Sequence, residues 1–229
     1  MHDSRKSGNY ISRRATRGVR ACRRVRFAVR ARRSLPLSVP PVTVSGVTTT
    51  STGYVALLRG INVGGRARVP MQTLRELLAA IGGTGIRTHL QSGNAVFTHE
   101  DTDPQALAAA LQQALADELG LTITCMVRTA EDLRRVVAAN PFDMTGVDGS
   151  RFLVVFLAGP VPLDRLAAID REAYAPDEIR PGEREIYAYF PDSIRDSKLA
   201  ARLTDRGLGM PATNRNWNTV TKLAEIAGS

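Results

Sequence analysis

The stretch Tyr54-Val-Ala-Leu-Leu-Arg-Gly-Ile-Asn-Val-Gly-Gly65 constrains the fold of this chain more than any other. Its continuous apolar run, Tyr54 to Leu58, reads as a short buried strand. Glycines 60, 64 and 65 then form a loop whose backbone can enter left-handed conformations at low cost. Val69-Pro70 opens a helix, because an early proline removes only an N–H with no intrahelical partner. A strand, a glycine loop and a helix in that order point to a layered α/β arrangement with the loop at one rim of a sheet.

The helix after the loop carries Met71, Leu74, Leu77, Leu78 and Ile81 at helical spacing and ends at Gly82-Gly83. Ile86 to Gln91 and Asn94 to Phe97 read as two strands around Ser92-Gly93-Asn94, a hairpin signal. Asp103-Pro104 starts a second helix, with Leu107, Leu111, Leu115 and Leu119 in steps of four. Leu121 to Val127 alternates as a strand. This order, β-α-β-β-α-β, is that of a ferredoxin-like unit. Thr129 caps a further helix that Pro141 stops. The second half offers a buried strand at Phe152 to Leu157 and a short helix at Leu163 to Ile169. A hairpin from Glu178 to Phe190 and a helix at Ser197 to Arg206 follow. Its β-α-β-β-α order echoes the first half without a repeated sequence. Asn214 to Lys222 leads into a terminal helix striped by Trp217, Val220 and Leu223. The expected fold is α+β: two α/β subdomains, the first ferredoxin-like (residues 53–128), the second of similar plan (129–229), with a C-terminal helix.

The net charge of +9 suggests nucleic acid until its distribution is read. Residues 1–52 hold 12 of the 31 Lys and Arg and one of the 22 acids, Asp3, which leaves 19 basic and 21 acidic side chains in the other 177 residues. The core is thus near neutral, and the basic character belongs to the tail. Residues 1–33 are arginine-rich and aromatic-poor, and residues 34–52 are rich in Pro, Ser, Thr and Val. Such a segment buries too little apolar surface to offset its ordering entropy, so residues 1–52 are expected to be a disordered basic tail. It reads as a weak, non-specific nucleic-acid arm, as a transit-like presequence, or as an extension without a fold, translated from upstream of the true start. Cys22 and Cys125 form no metal-binding spacing, and a reducing cytoplasm is expected. The longest apolar run, Phe152 to Ala158, is too short to span a bilayer, so no membrane partner is expected.

Three segments supply candidate ligand-binding residues. Gly60-x4-Gly65-Arg66-Ala67 misses the phosphate-binding GxxxxGK[ST] pattern, with Arg66 in place of Lys and Ala67 in place of the magnesium-binding hydroxyl. A looser anion site remains open there: Arg59, Gly60, Asn62, Gly64, Gly65, Arg66 and Arg68 would offer charge and backbone N–H groups beside a helix start. The plain alternative is a tight turn. Ser92 and Asn94 add polar groups in a hairpin that is first of all a turn. Arg215, Asn216, Asn218, Thr219 and Lys222 cluster at a helix start, where Asn216 suits an N-cap and Trp217 an anchor. His89 and His99 lie in no nucleophile elbow, Cys125 reads as a core residue, and the loop aspartates match no metal loop. No metal is expected, and the sequence names neither cofactor nor reaction.

Four segments taken together resemble the DUF1697 family of bacterial proteins: Leu57-Leu-Arg-Gly-Ile-Asn-Val-Gly-Gly65, Val69-Pro-Met71, Gln91-Ser-Gly-Asn94 with Phe97, and Ala212 to Leu223 with its Arg-Asn-Trp-Asn-Thr-Val-Thr-Lys-Leu. The resemblance covers about residues 53–228 and none of the tail. It implies two α+β subdomains, the first ferredoxin-like, and a start a few residues before Tyr54. It implies no activity, because the family is named for having no established function. Three functions therefore stand side by side: a small anionic ligand, phosphate- or nucleotide-like, in a cleft between the glycine loop and the C-terminal helix start; nucleic-acid binding through the basic arm; and a non-enzymatic interaction protein.

Overall fold

The computed structural model describes residues 51–64, 67–100 and 103–229. The disordered-tail expectation lies outside them except at its last two positions, and Thr52 already belongs to the first strand. In chain order the first lobe contains β1 (Thr52–Leu58), α1 (Met71–Ala80), β2 (Thr84–His89), β3 (Asn94–His99), α2 (Pro104–Leu119) and β4 (Cys125–Thr129), followed by α3 (Ala130–Ala138). The second contains β5 (Phe152–Leu157), α4 (Leu163–Ala167), β6 (Glu178–Pro181), β7 (Glu185–Tyr189), α5 (Lys198–Arg202), α6 (Asp205–Leu208) and β8 (Ala212–Asn216), followed by α7 (Trp217–Ala227).

Each lobe is a four-stranded antiparallel sheet, ordered β2-β3-β1-β4 in one and β6-β7-β5-β8 in the other. The two orders are the same, and both are ferredoxin-like. Antiparallel sheets often leave one face wet, but here both faces of each sheet are covered. On the first sheet, Tyr54, Ala56 and Leu58 pack under Leu74 and Leu78 of α1 and Leu107, Leu111 and Leu115 of α2. On the second, Leu153, Val155 and Leu157 pack under Leu166, Leu199, Leu203 and Leu208. The remaining faces share one core: Val55, Leu57 and Met126 of the first sheet, Phe152, Val154, Phe156 and Tyr187 of the second, and Leu133, Val136, Val220 and Leu223 of α3 and α7. Two-sided burial is why the central strands read as unbroken apolar runs rather than as alternations.

The helix ends follow the local chemistry. The Asp103 carboxylate accepts from Gln105 N at 2.8 Å, and Gly120 closes α2 in the left-handed region. Thr129 and Asp132 form a reciprocal capping box on α3.

Three expectations change. The strand foreseen from Leu121 begins only at Cys125, because β1 ends at Leu58, which pairs with Cys125, and earlier residues have no neighbouring strand. Ile123 still reaches the core. The helix foreseen from Ser197 to Arg206 is two short helices, broken where Thr204 is extended, so that Leu199 and Leu208 both reach the core. Ala212–Asn216, foreseen as a lead-in to the terminal helix, is the fourth strand of the second sheet. Among the described residues, no helix is long and apolar enough to cross a membrane.

Candidate functional site

The glycine loop leaves the end of β1, and the β2–β3 hairpin turns at the same rim. In this topology β1 and β2 run parallel, so their C-terminal ends coincide. Gly60, Asn62, Gly64 and Ala67 all have positive φ. The loop is held from within: the Asn62 amide donates to the carbonyls of Val69 and Gln91 at 2.9 and 2.7 Å and accepts from Val69 N at 2.9 Å. Asn62 therefore staples the loop to the hairpin. Gly93 sits directly beneath. A Cβ there would lie 2.7 Å from Leu58 Cβ and 2.8 Å from Ile61 Cδ1, and its φ is +77°. Loop and hairpin can meet only over a glycine.

Arg215, on the inward face of β8, reaches this rim from the other lobe. Its Nη2 donates to the carbonyls of Leu58 (2.7 Å), Ser92 (3.2 Å) and Gly93 (3.4 Å). Nη1 donates to Thr213 Oγ1 at 2.9 Å and Asn214 O at 2.6 Å, and Nε donates to Asn94 Oδ1. Asn94 is itself held, donating to His89 O and Ser92 Oγ. Every N–H of the guanidinium head thus meets a neutral protein acceptor, and Arg215 is only 8% exposed. Among the described residues no carboxylate pairs with it. Burial pushes its pKa down to about 10, the mark of a desolvated charge.

Around Arg215 opens a cleft of about 440 Å³. The glycine loop (Arg59, Gly60, Ile61, Val63), the hairpin (Leu90, Ser92), the 203–205 turn, and the stretch from Ala212 to Asn216 with Thr219 all line it. Asn216 accepts from Thr219 N at 3.0 Å and so caps α7. Thr219 is largely buried but lines the cleft, and its hydroxyl makes no hydrogen bond among the described residues. Arg59 reaches across the cleft to an ion pair with Asp205, whose other oxygen accepts from Ala212 N at 2.9 Å.

The cleft thus gathers Arg59, Gly60, Ser92, Arg215 and Asn216 from the sequence candidates. Asn94 lies buried behind its wall as a structural tie. Asn62 is an exposed tie outside the cleft, beside Arg68 in a separate hollow. Gly64 is outside it. Asn218 packs its amide against Gly149, where a Cβ would lie 2.2 Å away. Lys222 points elsewhere and pairs with Glu225 at 2.8 Å. Gly65 and Arg66 lie outside the described residues. Thr219, named in the polar cluster at the helix start, also lines the cleft. Sequence reasoning missed Asp205 and Thr213; Asp205 had no local signal.

A second arginine repeats the arrangement. In register, Val55 pairs with Arg128 as Val154 pairs with Arg215. Arg128 donates to Leu157 O at the end of β5, as Arg215 donates to Leu58 O at the end of β1. Each lobe thus holds the other through an arginine on its last strand. The surroundings differ. Glu185, which begins β7 as Asn94 begins β3, is buried and acts on Arg128 electrostatically, as does Asp132 on α3. Asp132 is the third residue of α3, and Thr219 is the third residue of α7. Burial and the neighbouring Arg184 and Arg135 nevertheless push Arg128 down to about 10, as burial does Arg215. Where Arg128 has two acids nearby, Arg215 has Asn94 and Thr219.

Burial pushes the Cys125 thiol up to about 12, against the pull of nearby Arg215, so it is no nucleophile at neutral pH. Among the described residues, no group of three or more His, Cys, Asp or Glu could hold a metal ion.

The family model described as "Protein of unknown function (DUF1697)" matches residues 51–187. A solved structure of a conserved bacterial protein from Streptococcus pneumoniae shares the fold, with a TM-score of 0.57 and 24% identity. That match covers 77% of this chain and 99% of the other. No curated protein matches.

Proposed function

We propose, for a chain that belongs to the DUF1697 family of proteins of unknown function, that the cleft between the glycine loop and the start of α7 binds a small anionic ligand, phosphate- or nucleotide-like. One observation carries this reading: Arg215 is a buried cation with no carboxylate partner among the described residues, beside a cleft open to solvent. Burying a charge without a counter-charge is unfavourable, and neutral carbonyls offset it only in part. A bound anion supplies the missing charge in a low-dielectric setting where it acts strongly. The N-terminus of α7 and the Thr219 hydroxyl add donors on the same wall. Because the head-group N–H groups of Arg215 are engaged, its part is long-range charge, and direct hydrogen bonds come from hydroxyls.

The test is thermal melting of the full chain with inorganic phosphate, AMP, ATP and sugar phosphates. A bound anion raises the midpoint by mass action, and Thr219→Val, which removes a hydroxyl at constant shape, reduces the rise. A flat response to all of them, and to a simple carboxylate such as phenylacetate, sinks the reading. A second reading, weak nucleic-acid binding, rests on the 12 basic residues among the first 52. Such binding is expected to weaken steeply with salt and to vanish when that segment is deleted. Salt-resistant binding by the remaining core would contradict it.

A further inference from the structure

The composition of the cleft bears on which anion it takes. Of the two arginines that line it, Arg59 is already paired with Asp205 across the cleft. Among the described residues that line it, the net positive charge left is that of Arg215. A chain of phosphates would bring several charges to meet one, and the Asp205 carboxylate would repel the surplus. Part of the wall is apolar: Leu58, Ile61, Val155 and Leu203 contribute to it beside the polar side chains of the 212–219 stretch. Two of the three most exposed large apolar side chains of the described residues, Val63 (68%) and Leu90 (58%), also line it. Leu90 holds a φ of +59°, a conformation that costs a leucine energy and that asparagine takes more readily. Apolar side chains left in water beside a polar floor are a usual feature of a ligand pocket.

Resting on the anion-binding reading above, we infer that the cleft selects a ligand with a single oxyanion head and an apolar body, and that Asp205 sets this selectivity by cancelling Arg59. The head lies toward Arg215, the Thr219 hydroxyl and the start of α7. The body lies against Val63 and Leu90. The head stands in for the carboxylates that accompany Arg128 at the equivalent place in the other lobe. A carboxylate and a phosphomonoester share this chemistry.

Calorimetric titration of the full chain with four probes tests the inference: phenylacetate, phenyl phosphate, inorganic phosphate and tripolyphosphate. At least one phenyl compound is expected to bind about ten-fold tighter than tripolyphosphate, and the stronger of the two identifies the head. Asp205→Asn keeps the acceptor for Ala212 N but frees Arg59. It is expected to tighten tripolyphosphate about ten-fold and to change the phenyl compounds less than about two-fold. Leu90→Asn is expected to weaken the phenyl compounds about five-fold and leave inorganic phosphate unchanged. If tripolyphosphate binds the native chain most tightly, or the phenyl group adds nothing over phosphate, the inference fails and the anion reading stands. If no probe binds, both fail.

Discussion

The two arginines that tie the lobes together occupy matching positions and differ in what surrounds them. Arg128 reaches Leu157 O with Glu185 and Asp132 close enough to favour its charge. Arg215 reaches Leu58 O with Asn94 and Thr219 in those places. Burial pushes both arginines down to about 10. At Arg128 the two acids act against the neighbouring Arg184 and Arg135, whereas at Arg215 neither a carboxylate nor a second arginine acts on the charge among the described residues. The end without a carboxylate lines a cleft. A structural tie needs its acceptors satisfied, and both ends meet that need. What differs is the presence of acids, which separates binding chemistry from lobe cohesion.

The largest effects are expected where a tie is cut. Arg128→Met should destabilise by about 3–4 kcal/mol, because it strips the carbonyls of Val127 and Leu157 of a buried donor and removes a positive charge that acts on buried Glu185. Arg215→Met strands only neutral acceptors and should cost less, about 2–3 kcal/mol. Urea unfolding of both variants measures the gap, and an equal or reversed order would break the comparison. Gly93→Ala should cost about 2–3 kcal/mol, from its left-handed φ and its close approach to Leu58 and Ile61. Arg184 stands at the matching position in the second lobe, where its carbonyl accepts from Leu157 N as that of Gly93 accepts from Leu58 N. Arg184→Ala should lie within about 0.5 kcal/mol of the parent, so the same pair of melts shows which rim is crowded. Tyr187→Phe removes a hydroxyl that donates to Val136 O at 2.8 Å beside Glu185. A loss of about 1 kcal/mol is expected, with no change in anion response.

Much of the fold was legible because its signals are local. The apolar runs at Tyr54–Leu58 and Phe152–Leu157, the leucines of α2 and the caps at Asp103 and Thr129 each depend on neighbours within a few residues. β8 was not legible in that way. Ala-Thr-Asn-Arg-Asn alternates, but Thr213 and Arg215 point inward, so the alternation reads as polar on both faces. The ferredoxin-like order of the second lobe still called for a fourth strand, and that was the available signal. The site was legible as segments and not as roles. Arg59, Arg215 and Asn216 meet at one cleft, yet the partners that define them lie over a hundred residues away for both arginines. Asn62 and Asn94 looked like ligand donors because their amides carry no mark of where they will be tied.

The uncompensated charge of Arg215 is tested most directly by giving it the acid that Arg128 has. Thr219→Asp places a carboxylate at the third position of α7, where α3 carries Asp132. The helix start and the buried cation both favour it. Thermal melting of parent and variant, each with and without the anions that stabilise the parent, is the measurement. The variant alone is expected to be more stable by about 1 kcal/mol and to have lost the anion-induced rise. A variant no more stable than the parent that keeps the full rise would contradict an unmet charge at Arg215.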